Sequence, residues 1–517
     1  MNTLCSFVEK FASLIVCALS CFDRVIFKGY LPLSRPSELE KFVDFVLKIR
    51  RVDFLKKHAP QFAKRLVDHA KRLAEQSGRP FEYRQGKFRK EQWAAHHLRK
   101  QRVTAGLIGV LCTKETCPTF QLIPGKDRPR FVPAQIPQRV LYFYFLDSNL
   151  GLIHVRVQTW LPFTIQVYVN GHDYVAQQLL KKKLRFVQDD NAFTQLQNPS
   201  ITQKLADQFV KLAWPKILNR YAVLVNPLLH DILKGSTYYW VTDQAEYATD
   251  LLFVSKNALA SLFTKLLEYA WLTFSAKDIL AFLGRKLHPR FDGEVLTDCK
   301  TERQMGARIK HRVKNNWLKM YDKFALILRI ETVINQPGEF KIYRECTRKD
   351  GTRYWAWRPM PKGVGNLHHY QRHALASNHR YLQALAVVND PTPAQQQLAK
   401  LTEPQKAKQR GSPGFNPARE NDLRLFAAVL DGNHISHGFR NQDIRRLLHE
   451  PTPDRNQRYR HSAAVGRLLK RLHLRHFLAK IPRTRRWRVT DQGRRVLGDV
   501  LAVYRRYWPD CCARTAA

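Results

Sequence analysis

Residues 139–171, RVLYFYFLDSNLGLIHVRVQTWLPFTIQVYVNG, alternate apolar and polar positions and are broken at Asp-Ser-Asn-Leu-Gly and at Leu-Pro. A period of two with such breaks predicts three antiparallel strands. FDRVIFKG (22–29) predicts another strand, and basic helices follow from Glu38 to about Gln76. PGKDRPRFVPAQIP (124–137) reads as a proline-rich joint. After Gly171 the pattern turns helical, and helices dominate through LFTKLLEYAWLTF; Ser275 opens a further one with a Ser-x-x-Asp capping box, ending near Gly284. Strands return at GEVLTDCK (293–300) and run to FKIYRE (340–345); 374–400 reads as a helix and 403–420 as a linker. At the N-terminus, Leu4, Phe7, Val8, Phe11, Leu14 and Ile15 follow helical spacing, and Glu9 and Lys10 interrupt the apolar run. An amphipathic core helix is therefore expected there rather than a signal peptide, and no other segment approaches an uncharged membrane-spanning length. The expected fold is α+β and multidomain, an antiparallel mixed-sheet core with helical insertions. Its segments are an N-terminal region (1–130), a central domain (131–372), a helix and linker (373–419) and a C-terminal unit (420–510).

The stretch KHRVKNNWLKMYDKFALILRIETVIN (310–335) departs from an ordinary core pattern. Cations stand at every second position up to Asn315-Asn316, a pair that suits a two-residue turn because Asn tolerates positive φ. That turn places Lys310, Arg312 and Lys314 on one face, with Trp317, Lys319, Tyr321 and Lys323 beside them. Leu318 and Met320 then point into the core, and Arg329 and Glu331 share a face of the next strand. The result is a basic, aromatic-bearing sheet face, a cradle for phosphates with rings available for base stacking.

Composition sharpens this picture. Lys plus Arg total 87 against 43 Asp plus Glu, a net charge of +44 that a polyanionic partner would neutralise. Nucleic acid is the expected partner: DNA first, structured RNA as the alternative, and no membrane. The nine cysteines include no C-x-x-C pair, so reduced thiols and a cytoplasmic setting are expected. No phosphate-binding or dinucleotide-binding glycine pattern occurs, which leaves ATP hydrolysis and dinucleotide chemistry without support. The histidines at 368, 369, 373 and 379 read as a polar helical face. RYWAWRP (353–359) reads either as a second stacking surface or as an anchor of sheet to helix.

From Glu420 the predicted order is three helices, two short strands joined by Arg-Thr-Arg, and a closing helix, which resembles a winged-helix DNA-binding domain. The resemblance implies that the third helix offers Ser462, Arg467, Lys470 and Arg471 to a groove and that Arg483, Arg485 and Arg486 lie in the wing. Local charge agrees, with 23 Lys plus Arg against 9 Asp plus Glu from Arg410 onward. A winged helix used as a protein-protein module is the alternative.

K-M-Y-D-K followed by L-R-I-E resembles the Y-x-K and R-x-E strands of plasmid rolling-circle replication initiators. By that resemblance Tyr321 is a nucleophile toward a DNA phosphodiester, Lys323 a phosphate contact, and Glu331 a metal ligand or base. The matching acidic strand, YYWVTDQAEYATD, supplies Asp243, Glu246 and Asp250, with Asp298, Glu294 and Asp23 as further acids near the sheet. The implied cofactor is a divalent metal, Mg²⁺ or Mn²⁺. The His-x-His pair of many nicking enzymes is absent; His154-x-Arg156-x-Gln158 offers one imidazole. Plainer readings stand beside these: Asp243-x-x-Glu246 as a capping box, Tyr321 as a stacking or core tyrosine, Asp23 paired with Arg24 or a neighbouring strand. The order of FDRV, VQTW-x-PF, VNG and Y-D-K segments also resembles a class of bacterial open reading frames, which implies a bacterial, mobile-element origin. The expected function is nucleic-acid binding, with metal-dependent DNA nicking and joining as the enzymatic version. Two alternatives stay open: a non-catalytic RNA- or DNA-binding protein, and a two-metal nuclease using acids such as Asp23, Asp243 and Asp298.

Overall fold

The computed structural model describes residues 6–86, 88–286, 291, 293–300, 307–388, 394–405, 412–435 and 437–515. In chain order the strands are β1 (Ile15–Tyr30), β2 (Phe81–Tyr83), β3 (Gly106–Ile123), β4 (Arg130–Asp147), β5 (Gly151–Gln158) and β6 (Ile165–Val169). A small hairpin follows, β7 (Phe186–Asp189) and β8 (Ala192–Leu196), then β9 (Tyr239–Phe253). Next come β10 (Val295–Lys300), β11 (Arg308–Val313), β12 (Asn316–Lys323) and β13 (Ile327–Ile334), and last β14 (Lys341–Thr347), β15 (Arg353–Pro359), β16 (Leu478–Lys480) and β17 (Trp487–Val489). Among the described residues eleven strands form one sheet in the order β10-β11-β12-β13-β9-β1-β6-β5-β4-β3-β2. Helices insert between them, so the architecture is α+β.

The three strands expected over 139–171 are the end of β4, β5 and β6, paired antiparallel. The proline-rich joint is not a joint: 130–139 is the first half of β4, with Pro133 opposite Phe120 and Pro137 opposite Thr116 of β3. β5 covers β4 only from Val140 onward, so those prolines stand where one side of the strand has no ladder to feed. The N-terminal helix is also shorter than expected, spanning Ser6–Lys10, with strand from Ile15. There the β-branched Ile15 and Val16 and a backbone bond from Val254 N–H to the Leu14 carbonyl at 3.0 Å favour extended chain. The Ser275 capping box is present, at the start of a helix over Ala276–Phe282.

The chain divides into two compact units. One contains Met1–Ala18, Thr249–Thr332 and His373–Ala517; the other contains Leu19–Ala248 and Val333–Arg372. The division passes through β1, β9 and β13 themselves, so each of these strands carries residues of both. β13 is buried at all eight positions and β9 from Ala245 to Phe253. Strands covered on both faces read as nearly continuous apolar runs. An ionisable residue inside them therefore needs a partner.

The C-terminal segment follows the expected order: helices Glu420–Val429, Asn441–Leu448 and Arg455–Leu474, the β16–β17 hairpin, and a helix from Asp491 to Thr515. It has its own core, including Leu423, Phe426, Phe439, Ile444, Leu469 and Leu497. Phe439 and Trp487 exchange two backbone hydrogen bonds, which adds a third short extended segment to the hairpin. The second helix is capped by Asp443, which accepts from Arg440 N–H at 2.8 Å. The 403–420 stretch is less of a linker than expected: Phe415 is buried in this core, and Gln405 and Ser412 pair through their backbones. Its residues 406–411 lie outside the described residues.

Candidate active site on the central sheet

The sequence VNGHD shapes one part of the site. Asn170 caps the helix over Gly171–Lys181 by accepting from His172 N–H at 2.8 Å. Gly171 lies so close to β1 that a Cβ there would stand 2.2 Å from the Phe22 carbonyl oxygen. This contact brings His172 beside the next β1 residue: its Nδ1 is 3.3 Å from Asp23 Oδ1. Asn191, in the β7–β8 turn, donates from Nδ2 to the same oxygen. Both Asp23 and His172 are buried.

β9 supplies the second acid. Its 239–243 run, Tyr-Trp-Val-Thr-Asp, is rich in strand formers, and Asp243 and Glu246 lie inside a continuous strand rather than at a helix start. The capping reading is therefore wrong. Glu246 is buried, accepts a hydrogen bond from Gln244, and has Arg24 Nη1 3.9 Å from Oε1. Asp250, four residues on, is held in a bidentate pair with Arg329 at 2.6 Å per contact, both residues buried. Asp250 is thus committed to a guanidinium and is withdrawn as a metal ligand. Arg329 is withdrawn as a phosphate contact for the same reason.

The β11–β12 hairpin turns one residue earlier than expected, at Lys314-Asn315, with Lys314 taking a φ of 52°. The predicted face survives: Arg312 is opposite Trp317, Lys310 opposite Lys319 and Arg308 opposite Tyr321. Leu318 and Met320 are fully buried, as expected. The Lys310 ammonium lies 4.1 Å from the Trp317 ring centre. Desolvation lowers its pKa, and the neighbouring charges of Lys319, Arg308 and Arg312 push the same way. That crowding of cations is what a phosphate would relieve. Lys323 is buried, with 3% of its surface exposed, and is withdrawn as a phosphate contact.

Both oxygens of Glu331 are engaged from β12. Tyr321 Oη donates to Oε2 at 2.7 Å, and Lys319 Nζ donates to Oε1 at 2.7 Å. Glu331 itself is buried in the middle of β13. β13, β9 and β1 are consecutive in the sheet, and one carboxylate oxygen each from Asp23, Glu246 and Glu331 lies within 4.8 Å of the others. Buried carboxylates at that separation repel one another, and Lys319, Arg24 and His172 stand against Glu331, Glu246 and Asp23 respectively. The carboxylate oxygens fit a hard divalent cation such as Mg²⁺ or Mn²⁺, and His172 and Asn191 are placed to orient Asp23 behind it. Asp243 and Asp298 are not in this cluster; Asp298 is exposed and paired with Arg308 at 3.0 Å. His154 is elsewhere, stacked on Tyr168 at 4.7 Å, where burial drives its pKa down to about 3.

In the C-terminal segment Arg467 and Lys470 are exposed on their helix, and Arg483 and Arg485 on the hairpin turn. Arg471 instead donates to the Pro413 and Gly414 carbonyls and lies 4.1 Å from the Phe415 ring centre, so it fastens the preceding segment and is withdrawn from the groove-facing set. Arg486 is half-buried and donates to the His437 and Gly438 carbonyls, bracing the hairpin. His172 and Asn191 were missed by sequence reasoning. The only local signal was the Asn-Gly pair opening a helix, since their partner Asp23 is far away in the chain. No protein-family model, curated protein or solved structure matches this chain.

Proposed function

We propose that this chain is a nucleic-acid-binding protein whose central sheet cleaves and joins a phosphodiester strand with a divalent metal. One observation carries the reading: the Tyr321 hydroxyl donates to Glu331, whose carboxylate converges with Asp23 and Glu246. The net charge of +44 and the cationic face over Arg308, Lys310, Arg312 and Lys319 support a polyanionic substrate.

In this reading Tyr321 Oη attacks phosphorus, forming a tyrosyl phosphodiester as the bond from phosphorus to the 3′ oxygen breaks. The phenol proton passes to Glu331 and on to the departing 3′ oxygen, which leaves as a hydroxyl. A phenol with a pKa near 10 needs such a base and nearby positive charge, which Lys319 supplies. A divalent cation held by Asp23, Glu246 and Glu331 would neutralise charge building on the phosphoryl oxygens. Joining is the reverse, with a 3′ hydroxyl attacking the tyrosyl phosphodiester.

A non-catalytic binder has one observation in its favour: Lys319 and Tyr321 already occupy both oxygens of Glu331. Manganese titration followed by electron paramagnetic resonance, alongside nicking of supercoiled DNA, separates the two. The catalytic reading expects one bound Mn²⁺, lost together with nicking in Glu246→Gln. A wild-type protein that binds DNA but neither holds Mn²⁺ nor nicks supports the binder.

A further inference from the structure

β14 and β15 form a two-stranded antiparallel ribbon outside the large sheet. Its foot is fixed: Phe340 and Met360 are buried and joined by a Met360 N–H bond to the Phe340 carbonyl at 2.8 Å, and Ile342 is buried beside them. Its tip is a tight turn in which Arg348 N–H bonds to the Thr352 carbonyl at 2.9 Å, with Gly351 at a φ of 86°. Between foot and tip, Tyr343 lies opposite Trp357, and Trp355 is the next residue on the same face.

These three rings are exposed by 53% (Tyr343), 60% (Trp355) and 64% (Trp357). They are also neighbours: the Tyr343 ring centre is 5.6 Å from Trp355 and 5.7 Å from Trp357. A contiguous row of large aromatics left in water marks a binding surface rather than a scattering of surface residues. The alternative role, anchoring the sheet to a helix, is inconsistent with that exposure.

Charge identifies the occupant. Residues 341–359 carry Lys341, Arg344, Arg348, Lys349, Arg353 and Arg358 against Glu345 and Asp350. Lys341 and Arg353 share the aromatic face by register, at its two ends; Glu345, opposite Trp355 on the same face, lies 3.8 Å from Arg353 and leaves Lys341 as the cation at the foot. Aromatic rings in a row with a cation at the foot match an unpaired nucleic-acid strand, whose bases present π faces and whose backbone presents phosphates. A base-paired duplex hides those faces. We infer that the β14–β15 ribbon is a stacking platform for single-stranded nucleic acid. It deepens the nucleic-acid reading but uses none of the residues of the candidate active site.

The test is fluorescence anisotropy with the full chain and three probes: a labelled dT oligonucleotide, an abasic oligonucleotide of equal length, and a duplex. Trp355→Ala with Trp357→Ala is expected to weaken dT binding about tenfold or more, with abasic and duplex binding within about twofold of wild type. Trp355→Phe with Trp357→Phe is expected to restore most of the dT affinity. Unchanged dT binding in the Ala variant, or an equal loss on all three probes, overturns the platform. A protein partner in place of nucleic acid would give the first of these results. Nicking of supercoiled DNA is read separately for the wild type and the Ala variant, so failure of the platform and failure of the catalytic reading are distinguishable.

Discussion

β13 and the C-terminal helix Arg455–Leu474 are both studded with charge, yet they use it in opposite ways. In β13 every position is buried, and Arg329 and Glu331 each answer a named partner: Asp250 for the first, Lys319 and Tyr321 for the second. In the helix, residues 455–460 are all exposed and the cations meet solvent. A buried charge is held by geometry and is sensitive to losing one partner; an exposed one acts through its field and is screened by salt. In the proposed reading, chemistry belongs to the first region and long-range attraction to the second.

The contrast breaks most visibly at Arg329. Arg329→Met removes the guanidinium held bidentate by the buried Asp250 carboxylate and is expected to lower stability by about 3–5 kcal/mol, read from denaturant midpoints. Arg467→Ala with Lys470→Ala is expected to change stability by less than about 0.5 kcal/mol. If the two variants are equally stable, the contrast is lost.

Glu331→Gln removes the proton acceptor for Tyr321, and strand cleavage is expected to fall about 10²–10⁴-fold. Binding to duplex DNA should be nearly unchanged, because the cationic face is retained. The Arg467 and Lys470 pair should give the reverse pattern: a salt dependence of duplex binding shallower by about 0.9 per lost phosphate contact, with the intrinsic cleavage step intact.

A smaller effect sharpens the comparison through pH. Burial alone would raise the Glu115 pKa, but hydrogen bonds from Lys90 and Tyr142 and the charge of Arg156 outweigh it and lower it to about 2. A carboxyl depressed on folding contributes stability that is present above its unfolded value, near 4.5, and lost as pH falls toward 2. Glu115→Gln should therefore flatten acid unfolding across that window, measured by circular dichroism. An unchanged acid limb would show that the network is not formed.

Local signals were legible where a short segment decides its own structure. The three strands over 139–169, the Ser275 capping box and the shared face of Lys310, Trp317 and Tyr321 follow from spacing and capping chemistry, although the Asn-Asn pair misplaced the hairpin turn by one residue. The site was only half legible. Tyr321 and Glu331 were singled out for catalysis only through the resemblance of Y-D-K and R-I-E to the initiator strands. Asp23 was a candidate ligand with a salt bridge as its plainer reading, and His172 and Asn191 were not singled out, because only the order β13-β9-β1-β6 gathers them. Arg329 and Lys323 looked like surface cations since charge is rarely buried, and no local pattern shows that β13 is covered on both faces. At 243–246 a local capping pattern competed with strand propensity and lost.

The central claim is that Tyr321 becomes linked to a nucleic-acid strand, and one measurement tests it directly. Purified protein is incubated with Mg²⁺ or Mn²⁺ and labelled single-stranded or supercoiled DNA, denatured in SDS, and analysed for a covalent adduct. The expected result is a labelled band that maps by peptide mass spectrometry to Tyr321 and is absent in Tyr321→Phe. Tight, salt-sensitive binding with no adduct and no nicked circles in either protein would contradict the account and leave the sheet as a cradle.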